Sequence, residues 1–332
     1  MRTVRRRIVS IGGLLVAAVA LVVLLPLWLP IALLADALRA RFRFPIARLL
    51  AFGLGWAWLE TAGVLGATAL WVTGRGRDRR RHYALQRWWA ARLMSWLRAT
   101  TGIRIETRGT EAFRSGPVVL FCRHASLADS LVSAWVVTTA AGMQPRYVLK
   151  RELLADPCLD VVGHRLPNHF LDREAADSTT ELDALRALSA GMGPEDVAVI
   201  FPEGTRASPS KRAKALERIA ARDPERAERL RALSNLLPPR PAGSAALLDG
   251  CPAADVVLAW HVGFDGLDTF GGILRHLART PRPVVFAARR VARADVPSGD
   301  AFTTWLDDRW IELDRAVGDL LAEPDAAQRK DH

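Results

Sequence analysis

Two long apolar blocks open the chain, and a finer alternation follows them. From Ile8 to Leu34 run 27 residues without a charge, and from Leu49 to Thr73 a further 25 interrupted only by Glu60. Each exceeds the roughly 20 residues a helix needs to cross a hydrocarbon core, so the pattern predicts an N-terminal membrane hairpin of two hydrophobic helices over residues 1–74. Over residues 75–100 the texture turns basic and Trp-rich. Trp88, Trp89 and Trp96 alternate there with Arg87, Arg92 and Arg98, as in a helix lying at a bilayer interface, although an ordinary domain helix packing its Trp inward fits the same residues. Beyond Thr100, short β-branched runs alternate with longer amphipathic ones. The runs predict strands at Ile103–Glu106, Val118–Cys122, Arg146–Leu149, His169–Leu171, Val197–Phe201, Val256–Trp260 and Val284–Ala288. Helical spacing is clearest over Ala175–Ala190, Pro209–Leu236 and Phe302–Leu321. The alternation predicts an α/β domain over residues 101–332, a largely parallel central sheet flanked by helices. The arginine run at Arg75–Arg81 is its only obvious boundary, and no internal repeat is present.

Charge placement refines the membrane expectation. A two-span hairpin with both ends inside puts nine flanking arginines on the cytoplasmic side and four, Arg39, Arg41, Arg43 and Arg48, outside, which the positive-inside rule favours only weakly. A hairpin that dips in from one side, bending near Pro26 and Pro30, keeps all of them at one surface. Either version expects a cell (inner) membrane protein with the remaining chain on the cytoplasmic face. A cleaved signal sequence fits less well, because the first apolar stretch is about twice the usual length and a second follows. Glu60 within a hydrophobic run is expensive and so a functional candidate, with a polar contact inside the hairpin, to Arg48, as the plainer expectation.

Composition excludes a disordered tail or a disulfide-stapled miniprotein: 50% of the 332 residues are hydrophobic, 24% are charged and only three are Cys. The formal net charge of +11 asks for an anionic partner, which nucleic acid, a lipid surface or a phosphorylated substrate would satisfy. Nucleic acid is not expected, since the basic residues are almost all Arg and no recognised binding module appears.

In an α/β sheet, ligands bind beyond the carboxyl ends of strands, and two such places carry chemistry. After Val118–Cys122 comes Arg123-His124-Ala125-Ser126-Leu127-Ala128-Asp129. Five residues of continuous helix would leave His124 and Asp129 some 140° apart, so a bend is required between them. Ser126 and Asp129 resemble a capping box, which places His124 in the loop and Asp129 in the first helical turn. Asp129 could then orient the imidazole as a general base; the plainer alternative is a loop histidine beside an acid that complements the helix dipole. The second place is Phe201-Pro202-Glu203-Gly204-Thr205-Arg206, where Gly204 opens the backbone to a ligand and Thr205 and Arg206 offer donors to phosphate oxygens. A tight turn with a surface Glu203–Arg206 ion pair remains the alternative.

Taken together, His124-x4-Asp129 and the later Phe-Pro-Glu-Gly-Thr-Arg resemble the glycerolipid acyltransferases, the family of the 1-acylglycerol-3-phosphate acyltransferases. Lys150-Arg151-Glu152-Leu153 with Pro157, and Phe170-Leu171-Asp172-Arg173, look like the family's acceptor-binding block. The likeness spans roughly residues 100–290. It implies acyl transfer from a thioester, acyl-CoA or acyl carrier protein, to a lysophospholipid hydroxyl, with 1-acyl-sn-glycerol-3-phosphate as expected acceptor and no bound cofactor or metal. Another lysophospholipid head group, or a non-catalytic lipid-binding scaffold, are the alternatives. By the same resemblance His124 is the base and Asp129 its orienting partner. Glu203, Gly204, Thr205 and Arg206 cradle the acceptor phosphate with Arg173 as a second cation, and Lys150 and Arg151 are weaker candidates. Glu203 is expected to orient Arg206 or a backbone amide.

The chain also departs from the family pattern. Arg123 stands where the family commonly has Asn, and its final Val-Pro block is not evident. Leu237-Pro238-Pro239-Arg240-Pro241-Ala242-Gly243 looks more like the lysocardiolipin and lysophosphatidylinositol acyltransferase branch. Cys122 is expected to be a small buried hydrophobe. His164 and His169, with Asp160 and Asp172 nearby, match no zinc spacing, and His261, at a predicted strand end, is expected to serve packing.

Overall fold

The β-branched runs become seven strands of one sheet: β1 (Ile105–Arg108), β2 (Val118–Cys122), β3 (Gln144–Lys150), β4 (His169–Leu171), β5 (Asp196–Ile200), β6 (Asp255–Val262) and β7 (Val284–Val291). The structure is a computed structural model that describes residues 2–114, 116–126, 128–171, 178–264, 267, 269–279 and 283–323. Strand order is β1-β7-β6-β2-β5-β3-β4, parallel throughout except between β6 and β7. The central strand β2 is fully buried along its length, which explains why Val-Val-Leu-Phe-Cys reads as a continuous apolar run rather than an alternation.

Twelve α-helices accompany the sheet among the described residues. In chain order they are α1 (Arg2–Val23), α2 (Leu25–Leu38), α3 (Pro45–Val72), α4 (Arg79–Thr101), α5 (Asp129–Trp135), α6 (Pro157–Gly163), α7 (Ser178–Ser189), α8 (Pro209–Ala220), α9 (Pro224–Leu230), α10 (Pro241–Gly250), α11 (Phe270–Leu277) and α12 (Asp300–Ala322). One face of the sheet packs Val119, Phe121 and Leu258 against α7, α10 and α12; the other packs Val118, Leu120 and Val257 against α4 and α5.

The expected single helix over Pro209–Leu236 is two. Pro224 has no N–H to continue the ladder, Asp223 accepts the Arg226 N–H to start α9, and Asp314 of α12 then takes the amides of Ser234, Asn235 and Leu236.

The N-terminal region also departs from two simple helices. The first apolar block breaks at Leu24, where Pro26 begins a new helix, and the Trp28 indole N–H donates back to the Leu21 carbonyl at 2.7 Å. Asp36 is fully buried because its carboxylate accepts the amides of Ile46 (2.9 Å) and Ala47 (3.3 Å), capping α3 from a distance. Helix α3 then lies antiparallel along α4. Arg48 Nε donates to the Thr100 carbonyl at 2.6 Å and Trp96 Nε1 to the Ala51 carbonyl at 3.0 Å. Gly55 lets the two axes approach, since a Cβ there would collide with the Trp96 indole. Rather than lying free at an interface, α4 is the layer between α3 and the sheet, with Ala90, Leu93, Met94 and Leu97 buried. Glu60 does not meet Arg48; it is buried facing Asp156, Cys158 and Trp89. The outer faces of α1, α2 and α3 expose Ile8, Val16, Leu27, Ile31, Leu34, Trp58, Leu65 and Trp71. At the base of α1, Arg6 and Arg7 converge on the buried Asp160 of α6, Arg6 through two bonds of 3.0 and 2.9 Å.

Candidate active site

Strands β2 and β5 are parallel neighbours, so the loops that leave their carboxyl ends meet, and they are joined through one residue. The His124 N–H donates to Glu203 Oε1 at 2.7 Å, and the His124 carbonyl accepts the Ala207 N–H at 2.9 Å. Gly204 sits at φ +70°, a left-handed turn that costs glycine little, and its N–H closes the turn onto Phe201 at 2.9 Å. The ring of Phe201 lies against the imidazole, with centroids 4.8 Å apart.

His124 and Asp129 do come together. Helix α5 begins at Asp129, whose Oδ2 lies 2.8 Å from His124 Nδ1 and accepts the amides of Ala125 and Ser126 at 2.6 and 2.9 Å; the Ser126 hydroxyl donates to Oδ1. The acid is therefore an acceptor of backbone and ring donors at once, which fixes the imidazole with its proton on Nδ1 and leaves Nε2 as the unengaged nitrogen. Burial opposes the ionised carboxyl, but His261 and the hydrogen bonds of His124 and Ser126 outweigh it and hold Asp129 well below the usual carboxylate range. His124 keeps 13% side-chain exposure and lines a cavity of about 600 Å³ together with Ser130, Lys150, Arg206 and Arg240.

The second loop divides its labour differently from the expectation. Glu203 is 2% exposed, with Oε1 on the His124 amide and Oε2 accepting the Leu237 N–H at 2.9 Å, so it braces three segments and does not face the cavity. Thr205 turns its hydroxyl to Lys211, which donates at 3.3 Å, and is not part of the cavity wall. Gly204 and Arg206 are. Nη1 of Arg206 is a buried guanidinium nitrogen without a hydrogen-bond partner among the described residues, a costly state unless an anion completes it. Lys150 lies on the same wall at the end of β3, while Arg151 is exposed and outside it. Arg173 and Asp172 lie outside the described residues. His164 packs on Phe170 and meets Asp160, and His169 pairs with Glu181 at 2.7 Å.

Two residues that the sequence reading did not place in the site are in it. Arg240 lies beside Gly204, its Nε 3.3 Å from where a Cβ would stand, and its N–H donates to the Pro202 carbonyl at 2.9 Å. His261, at the end of β6, puts Nε2 3.0 Å from Asp129 Oδ1, off the hydrogen-bond direction, so that the contact is chiefly electrostatic. The Pro238-Pro239-Arg240 turn was the available signal for the first; the second had only its strand-end position. Cys122 is completely buried, and burial together with Asp129 and Glu203 pushes its thiol well up, which leaves no thiolate at the strand end.

A second, largely apolar cavity of about 450 Å³ runs beneath α3, walled by Phe52 and Trp56 of α3, Leu93 and Leu97 of α4 and Leu131 of α5. It shares Ser130, Leu149 and Leu153 with the first, so the cleft beside His124 and this apolar channel adjoin through common walls.

Residues 104–232 match the model of the Acyltransferase family. The acyltransferase match runs from the foot of β1 to just past α9 and includes His124, Asp129 and Glu203–Arg206; Arg240 and His261 lie beyond it. No curated protein matches the chain significantly. Among solved structures the fold is similar to that of the 1-acyl-sn-glycerophosphate (LPA) acyltransferase PlsC from Thermotoga maritima. The TM-score is 0.55 at 18% sequence identity, covering 84% of this chain and 98% of that one. At that identity the likeness is one of fold.

Burial, opposed by the His124 and Leu237 amides and by Arg123, pushes the Glu203 carboxyl up to about 8 from 4.5. The folded state then holds a proton that the unfolded chain releases, so this group's contribution is present below about pH 4.5 and is lost as pH rises toward 8. Thermal melts of wild type and Glu203→Gln across that range should show a shallower decline in the variant. Parallel curves would contradict the assignment.

Proposed function

We propose that the protein transfers a fatty acyl group from a thioester, acyl-CoA or acyl carrier protein, to a free hydroxyl of a lysophospholipid, with 1-acyl-sn-glycerol-3-phosphate as acceptor and phosphatidate as product. The observation that carries this reading is the one cavity lined by both His124 and Arg206, whose Nη1 has no hydrogen-bond partner among the described residues. His124 Nε2 takes the proton of the acceptor hydroxyl as its oxygen attacks the thioester carbonyl. The carbon–sulfur bond breaks as the tetrahedral intermediate collapses, and the imidazolium returns the proton to the departing thiolate. Asp129 stabilises the imidazolium between the two events. No enzyme-bound acyl group is needed.

Arg206 and Arg240 on one wall supply two guanidinium groups, which suits the dianion of a phosphate monoester better than a zwitterionic head group. Of the phosphate contacts inferred from sequence, Arg206 and the Gly204 backbone remain in the proposal, Arg240 joins them, and Glu203 becomes the brace that aligns both loops. The apolar channel beneath α3 is the place for an acyl chain, since such a chain is stabilised by leaving water at about 0.8 kcal/mol per CH₂.

We also propose that the protein resides in the inner membrane with the cleft at the cytoplasmic face, embedded in one leaflet. A spanning α3 would draw α4 into hydrocarbon with it, and α4 carries Arg79, Arg80, Arg81, Arg87, Arg92 and Arg98. The break at Leu24 and the apolar outer faces of α1–α3 fit insertion from one side. The test is mass spectrometry of reactions of the full-length protein in phospholipid vesicles with acyl-CoA and a panel of lysolipids. Phosphatidate as the dominant product is expected. Transfer confined to another head group would overturn the acceptor, and transfer to none would leave a lipid-binding scaffold.

A further inference from the structure

Asp129 faces two imidazoles, not one. Its Oδ2 lies 2.8 Å from His124 Nδ1 and its Oδ1 3.0 Å from His261 Nε2, and the side chains of Asp129 and His261 are 0% and 1% exposed. Strand register explains the meeting. Strands β2 and β6 run parallel with Cys122 opposite Ala259, so His124 and His261 each stand two residues beyond a paired position, toward the carboxyl ends of these two strands. The intervening residue ties the ends together: the Arg123 N–H donates to the Ala259 carbonyl at 2.9 Å, and its guanidinium donates to the His261 carbonyl. Phe264 packs its ring edgewise on His261, at 6.1 Å between centroids. Both His261 ring nitrogens are buried without a hydrogen bond among the described residues, so Asp129 Oδ1, 3.0 Å from Nε2, is the charge set against the ring.

We propose that His261 is a positioning residue for the His124–Asp129 pair: its ring nitrogen, held against the far oxygen of Asp129, limits the negative charge that the carboxylate lends to His124 and so sets the pH above which His124 is free to act as base. This rests on the reading of His124 as base given above. The physical sense is fixed by sign. An anionic neighbour stabilises the imidazolium, and a donor or positive charge on that neighbour's other oxygen weakens the effect. Asp129 can lose this contact without losing its own place, because the Ala125 and Ser126 amides and the Ser126 hydroxyl still hold it. Among the described residues the other titratable or charged groups around the pair are Cys122 and Arg123 at the end of β2, Glu203 beyond β5, and Lys150, Arg206 and Arg240, which line the cavity that His124 borders; none of them stands between His261 and Asp129 Oδ1.

The test compares His261→Phe, which keeps a ring and removes both nitrogens, with His261→Gln, which retains an N–H near the position of Nε2, in the full-length protein. In His261→Phe the acidic limb of the kcat/KM profile should move up by about one pH unit, with kcat about tenfold lower near neutrality and both KM values unchanged. His261→Gln should return the limb to near the wild-type position. A limb unmoved in the Phe variant, or moved equally in both variants, overturns the proposal and leaves a packing role. NMR titration of the imidazole carbon-bound protons needs neither turnover nor a variant. His124 and His261 in the wild type should titrate interdependently, each curve showing two steps, and independent single-step curves overturn the proposal even where no acceptor is acylated. Conversely, two-step curves without acyl transfer would leave this inference standing and remove the transferase reading.

Discussion

His124→Ala should lower kcat for acyl transfer by about 10²- to 10⁴-fold, the usual worth of a positioned general base, while the melting temperature stays within a few degrees of wild type. The second half of that expectation follows from the backbone. The contacts that join the two active-site loops use the N–H and carbonyl of His124 and not its ring, so alanine keeps both. The side chain itself contributes the Asp129 contact and the face of Phe201, neither of which fills the core. Single-turnover measurements with saturating donor and acceptor separate the chemical step from product release. A kcat within a few-fold of wild type would remove His124 from the reaction, and a large drop in melting temperature would make the loss structural.

Arg206→Ala should raise the acceptor KM about 10- to 100-fold while leaving the KM of the thioester donor nearly unchanged. The magnitude corresponds to one charge-assisted hydrogen-bonded contact, about 1.5–3 kcal/mol. The selectivity follows from position, because Arg206 lines the cleft that holds His124, whereas the cavity proposed for the acyl chain is walled by α3, α4 and α5. Arg206→Lys should recover only part of the loss, since an ammonium cannot reproduce the planar fork. Initial-rate kinetics with each substrate varied in turn decide the matter. Equal losses for donor and acceptor would contradict a phosphate anchor.

The sheet was legible because each strand advertises itself locally. Val118–Cys122 and His169–Leu171 have the predicted bounds, and the remaining strands shift or extend by one to three residues at their ends. Where the reading failed, the deciding partner was remote in sequence. Pro209–Leu236 carries helical spacing throughout, yet Pro224 restarts it and Asp314, far along the chain, turns its last residues. The apolar run from Ile8 reads as one span, and what it lacks is any statement that α3 will lie down along α4.

The same division holds at the site. Spacing alone required a bend between His124 and Asp129, and the bend is there. Glu203 was expected to orient Arg206 or a neighbouring amide, and its carboxylate spans two amides, those of His124 and Leu237; only the fold reveals that the second comes from the segment after α9. For His261 the sequence points only to packing, because a lone histidine at a strand end carries no spacing signal. It is the pairing of β2 with β6 that delivers it to Asp129.

The central claim is that one base and one phosphate anchor act on the same bound lysolipid. Its most direct test is to give the vesicle-bound protein acyl-CoA with either 1-acyl-sn-glycerol-3-phosphate or the matching monoacylglycerol, and to quantify the products by mass spectrometry. The phosphate-bearing acceptor should be acylated and the monoacylglycerol left essentially untouched, with that preference collapsing in Arg206→Ala. Equal acylation of both acceptors by the wild-type protein, or of neither, would contradict the account.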